Sequence, residues 1–168
     1  AWKEESAGHT VGLVGIFDGH CGDQGARFAV EELGRFIHDE LRLESDDEAI
    51  ALSPLKIESV LHEAIVKLDA EFCNLCQEGG REWESGSTAV VAMLANKNLV
   101  IASLGDCRGF LCRFVDQPES YAADDCWERL EIDNPEESNS ENEQLNNCFW
   151  REMTTVHSPS TETERERI

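Results

Sequence analysis

Basic residues are scarce: 14 Lys and Arg stand against 35 Asp and Glu, for a formal net charge of -21. A surface of that sign repels phosphate backbones and anionic headgroups, which argues against nucleic acid and acidic membranes as partners. No apolar run approaches the roughly 20 residues that a membrane-crossing helix needs, and no secretory leader is visible. The seven cysteines are odd in number and irregularly spaced, which excludes a regular disulfide framework. A reducing compartment, cytoplasm or nucleus, is the expectation. Cys73 and Cys76 form a Cys-x-x-Cys with no second pair at zinc spacing, so both read as ordinary helix residues. No internal repeat, EF-hand loop or P-loop is present.

The length of 168 residues suits one domain with a core, and a monomer is expected. The chain begins at Ala1 and stops at Ile168 within a charged run, so a piece of a larger domain is expected.

Residues 11–17 are an apolar run that reads as a buried strand ending in the polar turn Asp18-Gly19-His20-Cys21-Gly22-Asp23. From Gln24 to about Leu43 the apolar period becomes helical, with Ala26, Ala29, Val30, Leu33, Phe36, Ile37 and Leu41 on one face and Asp23 as N-cap. Ser53 and Pro54 signal a second helix start, since proline suits the first helical position. Ile57, Val60, Leu61, Ala64, Ile65, Leu68 and Phe72 form its stripe, and Gly79 and Gly80 end it. Three strand-like runs follow at 87–94, 99–104 and 108–113, and their short turns predict an antiparallel meander. Residues 116–147 are acidic and aperiodic, with Arg129 the only basic side chain, and read as an acidic, low-order insert. A last strand is expected over 149–156, a turn at His157, Ser158 and Pro159, and the start of a helix from Thr161. The class is α+β: a sheet covered by a helix pair.

The segment Gly15-Ile16-Phe17-Asp18-Gly19-His20-Cys21-Gly22 carries the chemistry. A carboxylate at the end of a buried strand is held rigidly, and glycines expose backbone carbonyls. Hard cations such as Mg2+ and Mn2+ take such oxygens. Histidine is the side chain that exchanges protons near neutral pH.

A second segment runs from Glu84-Ser85-Gly86-Ser87-Thr88-Ala89 to Ala102-Ser103-Leu104-Gly105-Asp106-Cys107-Arg108-Gly109. A third holds Thr155-Val156-His157-Ser158-Pro159 and Glu164-Arg165-Glu166-Arg167-Ile168. In this order the motifs resemble the metal-dependent Ser/Thr protein phosphatases of the 2C type, over the N-terminal half of their catalytic domain. The resemblance implies an αββα sandwich, incomplete here, with antiparallel sheets flanked by antiparallel helix pairs. It implies hydrolysis of phosphoserine and phosphothreonine in protein substrates with two Mn2+ or Mg2+ ions, and in some members a third, weaker site. Asp18 would bridge the two ions, and Gly19 would lend one of them its carbonyl. His20 would be the general acid for the departing oxygen, and Asp106 would belong to the third site or simply cap its turn. Arg108 would pair with a carboxylate, while Ser87 and Thr88 would pack within the central sheet.

Departures from the family pattern accompany these matches. Cys21 replaces a glycine, Cys107 a serine and Val156 an aspartate. Asp18 and one carbonyl cannot complete two divalent sites, so the 168 residues alone are expected to be inactive. Cys21, beside an imidazole and near bound cations, is a candidate for oxidation, or else a small residue filling a turn. One alternative is a non-catalytic regulatory or binding protein on the same fold, against which intact Asp18, Gly19 and His20 count. Another is an acidic interaction module using residues 116–147, with Ser138 or Ser140 open to phosphorylation.

Overall fold

The computed structural model describes residues 2–6, 9–43, 53–78, 83–115, 127–129 and 148–167. In chain order the elements are β1 (Trp2–Ser6), β2 (His9–His20), α1 (Gln24–Leu43), α2 (Pro54–Gln77) and β3 (Gly86–Ala95). They continue with β4 (Asn98–Leu104), β5 (Phe110–Phe114), β6 (Glu128–Arg129), β7 (Cys148–Glu152) and α3 (Glu162–Arg167). The chain divides into two compact units, Ala1–Cys107 with Val156–Ile168, and Arg108–Thr155. The class is α+β with antiparallel sheets, as expected.

The first unit holds a four-stranded sheet in the order β1-β2-β3-β4, antiparallel throughout. The first strand escaped the sequence reading because its run Trp-Lys-Glu-Glu-Ser shows no apolar alternation. It is fixed instead by pairing, from Trp2 opposite Leu13 to Ser6 opposite His9. Ser53 caps α2 by accepting the Lys56 N–H at 3.3 Å, and Pro54 opens that helix where no intrahelical donor is needed. The two helices run antiparallel, because Arg35 meets Glu71 at 3.2 Å while Glu40, further along α1, meets Lys67, earlier in α2.

Alternation along the strands decides which face the helices cover. Val11 and Leu13 of β2 and Ala89, Val91, Met93 and Ala95 of β3 are buried against Ala29, Leu33, Phe36 and Ile37 of α1. Ile57, Val60, Leu61, Ala64 and Leu68 of α2 complete this core. Side chains that alternate with these are exposed, Val14 to 59% and Ile16 to 66%. The apolar run at 11–17 is therefore a strand covered on one face, and not a strand buried on both. Val30 also departs from its expected place in the α1 stripe and is 68% exposed.

The second unit holds a three-stranded sheet in the order β5-β7-β6. This corrects the expected three-strand meander. After the turn at Gly105 and Asp106 the chain leaves the first sheet, and β5 pairs with β7, Phe110 opposite Glu152 through Phe114 opposite Cys148. The last strand is also shorter than its expected span. The Met153 N–H donates to the Gly109 carbonyl at 2.8 Å, and Thr154 Oγ1 accepts the Gly109 N–H at 2.9 Å. Arg108 faces Glu152 at 3.7 Å, the carboxylate pairing foreseen for it. The insert at 116–147 lies outside the described residues except for 127–129, where Trp127 packs under the Arg113 and Arg151 guanidinium groups, each 5.3 Å from its ring centre. Ser138 and Ser140 lie outside the described residues as well.

Candidate functional site

Asp18, Gly19 and His20 are the last three residues of β2, so the structure moves them from the expected turn into the strand. Each is paired with the central strand: Asp18 with Thr88, Gly19 with Ser87 and His20 with Gly86. The backbone that carries the candidate chemistry is thus clamped by sheet hydrogen bonds. The reversal follows at 21–23, and α1 begins at Gln24.

The reversal is tight. A Cβ on Gly19 would lie 2.9 Å from the Gly22 carbonyl oxygen, so no side chain fits there. Cys21 holds a left-handed backbone at φ 57. That conformation costs an L-residue about 1 kcal/mol and a glycine little. The family's glycine at this position suits the turn better than the thiol does. The Asp23 carbonyl accepts the Arg27 N–H at 2.9 Å, and its carboxylate pairs with the Arg27 guanidinium at 2.7 Å. The first-turn N–H of Gly25 goes to Ser85 Oγ at 3.1 Å, in a buried contact. Sequence reasoning missed this tie, because nothing local marks Ser85 as the partner of a residue 60 positions away.

The Asp18 carboxylate and the His20 imidazole both face solvent, at 68% and 59% side-chain exposure. His20 Nδ1 lies 3.0 Å from the Asp18 carbonyl oxygen. A carbonyl only accepts, so Nδ1 carries the hydrogen. Nε2 then points outward, 4.0 Å from Asp18 Oδ2. The Ser87 hydroxyl lies 2.7 Å from the Thr88 carbonyl and 3.2 Å from that of Asp18.

Thr88 joins the two nominated segments. It sits opposite Asp18 on one side, and on the other it meets the turn that carries Asp106. A Cβ on Gly105, whose φ is 76°, would lie 2.6 Å from Thr88 Cγ2, and Thr88 Oγ1 touches Cys107 Sγ at 3.1 Å. Cys107 therefore occupies the family's serine position while keeping a polar contact. Asp106 itself is exposed. The same turn is held from behind, since the His157 N–H donates to the Gly105 carbonyl at 2.8 Å. The His157 ring is fixed in turn, with Nδ1 2.9 Å from the buried Glu164 carboxylate. Arg167 closes this cluster at 2.8 Å. The Arg167 guanidinium first, and the His157 ring second, hold the Glu164 carboxyl below the usual carboxylate range.

The family model of protein phosphatase 2C matches residues 2–124. The chain belongs to the protein phosphatase 2C family. A probable protein phosphatase 2C 57 of Oryza sativa subsp. japonica is 37% identical over 100 residues, 60% of this chain and 24% of the relative. The integrin-linked kinase-associated serine/threonine phosphatase 2C of Bos taurus is 28% identical over 113 residues, 67% of this chain and 30% of the relative. The chain thus spans about a quarter of the length of such curated relatives. Among solved structures, the serine-threonine phosphatase 2C of Toxoplasma gondii superposes with a TM-score of 0.56 at 21% identity, over 95% of this chain and 43% of that one. A sex-determining protein of C. elegans does so with a TM-score of 0.59 at 19% identity, over 94% and 29%. These two likenesses speak for the fold.

Membership in the protein phosphatase 2C family implies divalent metal. The donors here have the right chemistry, being hard and solvent-facing oxygens, but they are too few. Among the described residues no group of three or more His, Cys, Asp and Glu side chains could hold an ion. Asp18 and the Gly19 carbonyl would supply only part of a shell that wants about six oxygens. Among the described residues no helix is long and apolar enough to cross a membrane.

Proposed function

We propose that these residues form the N-terminal part of a Mn2+- or Mg2+-dependent phosphatase domain that hydrolyses phosphoserine and phosphothreonine in proteins. The observation that carries this reading is the solvent-facing Asp18 carboxylate at the strand end, with the His20 ring held by the Asp18 carbonyl. Membership in the family supports it. Divalent cations held there would neutralise charge on the phosphoryl group. Asp18 and Gly19 would contribute oxygens to them, and Asp106 to a third, weaker site.

His20 is the proton donor in this reading. Its Nδ1–H is committed to the Asp18 carbonyl, so the proton passed to the serine or threonine oxygen leaves from Nε2, and the ring must start as the imidazolium. Once that proton has gone, the Nδ1 hydrogen bond still holds the ring in place.

The test compares two substrates with the full-length protein in Mn2+ buffer. His20→Asn should slow a phosphothreonine peptide by about 10²- to 10⁴-fold, the range general acids contribute, because its alkoxide leaving group needs a proton. A nitrophenyl phosphate, whose leaving group departs without one, should be nearly unaffected. Equal loss on both substrates would remove His20 from the acid role. A folded protein with no turnover on either, at any Mn2+ level, would favour the non-catalytic member of the fold.

A further inference from the structure

Two cysteines of the second unit lie on neighbouring strands. Cys112 of β5 and Cys148 of β7 belong to strands that pair directly, with Cys112 opposite Trp150 and Phe114 opposite Cys148. Residues directly opposite share a face, and so do residues two apart on one strand. Cys112, Phe114, Cys148 and Trp150 therefore all project from the same side. Cys112 and Cys148 are diagonal neighbours there.

A sheet's twist brings one diagonal closer than the other. Phe110 packs along one of these diagonals. Its direct partner is Glu152, yet its ring packs edge-on against Trp150, one step along the diagonal, with centroids 5.3 Å apart. The same step from Cys112 leads to Cys148. Burial first, and the Cys112 side chain second, push the Cys148 thiol up, in keeping with this diagonal placement. Exposure divides their roles, because Cys112 is solvent-exposed and Cys148 is buried.

We propose that Cys112 and Cys148 form a peroxide-oxidisable dithiol that closes to a cross-strand disulfide. Cys112, accessible to solvent, is the entry point, since the thiolate is the nucleophile. Its sulfur attacks one peroxide oxygen, the O–O bond breaks, and the departing hydroxide takes up a proton to leave as water. Cys112 becomes a sulfenic acid. The Cys148 sulfur then attacks the Cys112 sulfur, losing its proton. The S–S bond forms, the S–O bond breaks, and a second water leaves. Two thiols and one hydrogen peroxide give one disulfide and two waters, with two electrons passed to the peroxide. Burial keeps Cys148 from reacting with solvent oxidant and reserves it as the resolving thiol.

The other neighbouring pair, Cys73 and Cys76, is the natural competitor. Cys73 is pushed up by Asp69 and by burial, which keeps it in the less reactive thiol form.

The test treats the 168-residue chain with hydrogen peroxide in native buffer and in concentrated urea, blocks remaining thiols, and maps disulfide-linked peptides. In native buffer the Cys112–Cys148 link should predominate, with both thiols lost together, and urea should abolish that preference. In Cys148→Ser, Cys112 should accumulate as a sulfenic acid trapped by dimedone, an adduct that the parent chain forms only weakly. Retention of both thiols while other cysteines oxidise, a link from Cys112 to a different cysteine in native buffer, or equal yields in urea would each overturn the proposal.

Discussion

The Ser85 hydroxyl accepts the Gly25 backbone N–H at 3.1 Å, joining the first turn of α1 to the residue that leads into β3. Asp18, Gly19 and His20 end the strand that precedes that helix, and they pair with the strand that Ser85 introduces. One buried hydrogen bond thus fastens both flanks of the candidate site. Ser85→Ala leaves the Gly25 donor unpaired, and the expected cost is about 1–2 kcal/mol. Urea unfolding followed by circular dichroism checks this. No change in midpoint would mean that the contact contributes little.

The helix pair on the sheet is predicted to supply most of the first unit's stability. Ile37 and Ile57 are fully buried where α1 and α2 meet the strands. Ile37→Ala should cost about 2–5 kcal/mol, the range for emptying a well-packed site. Val30→Ala, on the exposed side of the same helix, should change stability by less than about 0.5 kcal/mol. Similar losses at both positions would contradict the assignment of faces.

The architecture was legible where a local pattern and its long-range consequence coincide. The stripes of α1 and α2, the Ser53 cap with Pro54 and the β3–β4 hairpin all rest on local chemistry and are present in the structure. The first strand was not legible, because its residues carry no alternation and its pairing depends on β2. The exit of β5 to another sheet was hidden for a related reason: a short turn looks alike whether the next strand folds back or leaves. Within the site, Asp18, Gly19, His20 and Asp106 could be named from motifs. The bonds that orient them could not, since Ser85 with Gly25 and His157 with Gly105 join residues far apart in sequence.

Acid should loosen the support behind the Asp106 turn. The Glu164 carboxyl titrates below its ordinary value in the folded chain, held there first by Arg167 and then by His157. A depressed folded-state value means that the carboxylate stabilises the fold fully above the unfolded value, about 4.3 for glutamate, and less as pH falls through the folded value. Denaturation midpoints of the parent chain and Glu164→Gln should differ near pH 5 and converge as pH falls below about 4. A gap that persists unchanged into acid would show that Glu164 contributes by packing alone.

The central claim is that Asp18 lies at the heart of a metal-dependent phosphatase site. Its most direct test is Mn2+-dependent hydrolysis of a phosphothreonine peptide by the full-length protein and by its Asp18→Ala variant, with folding of both verified by circular dichroism. The expected result is turnover by the parent that vanishes on chelation, and a variant that falls to background at every Mn2+ concentration. A folded variant that keeps parental turnover would contradict it.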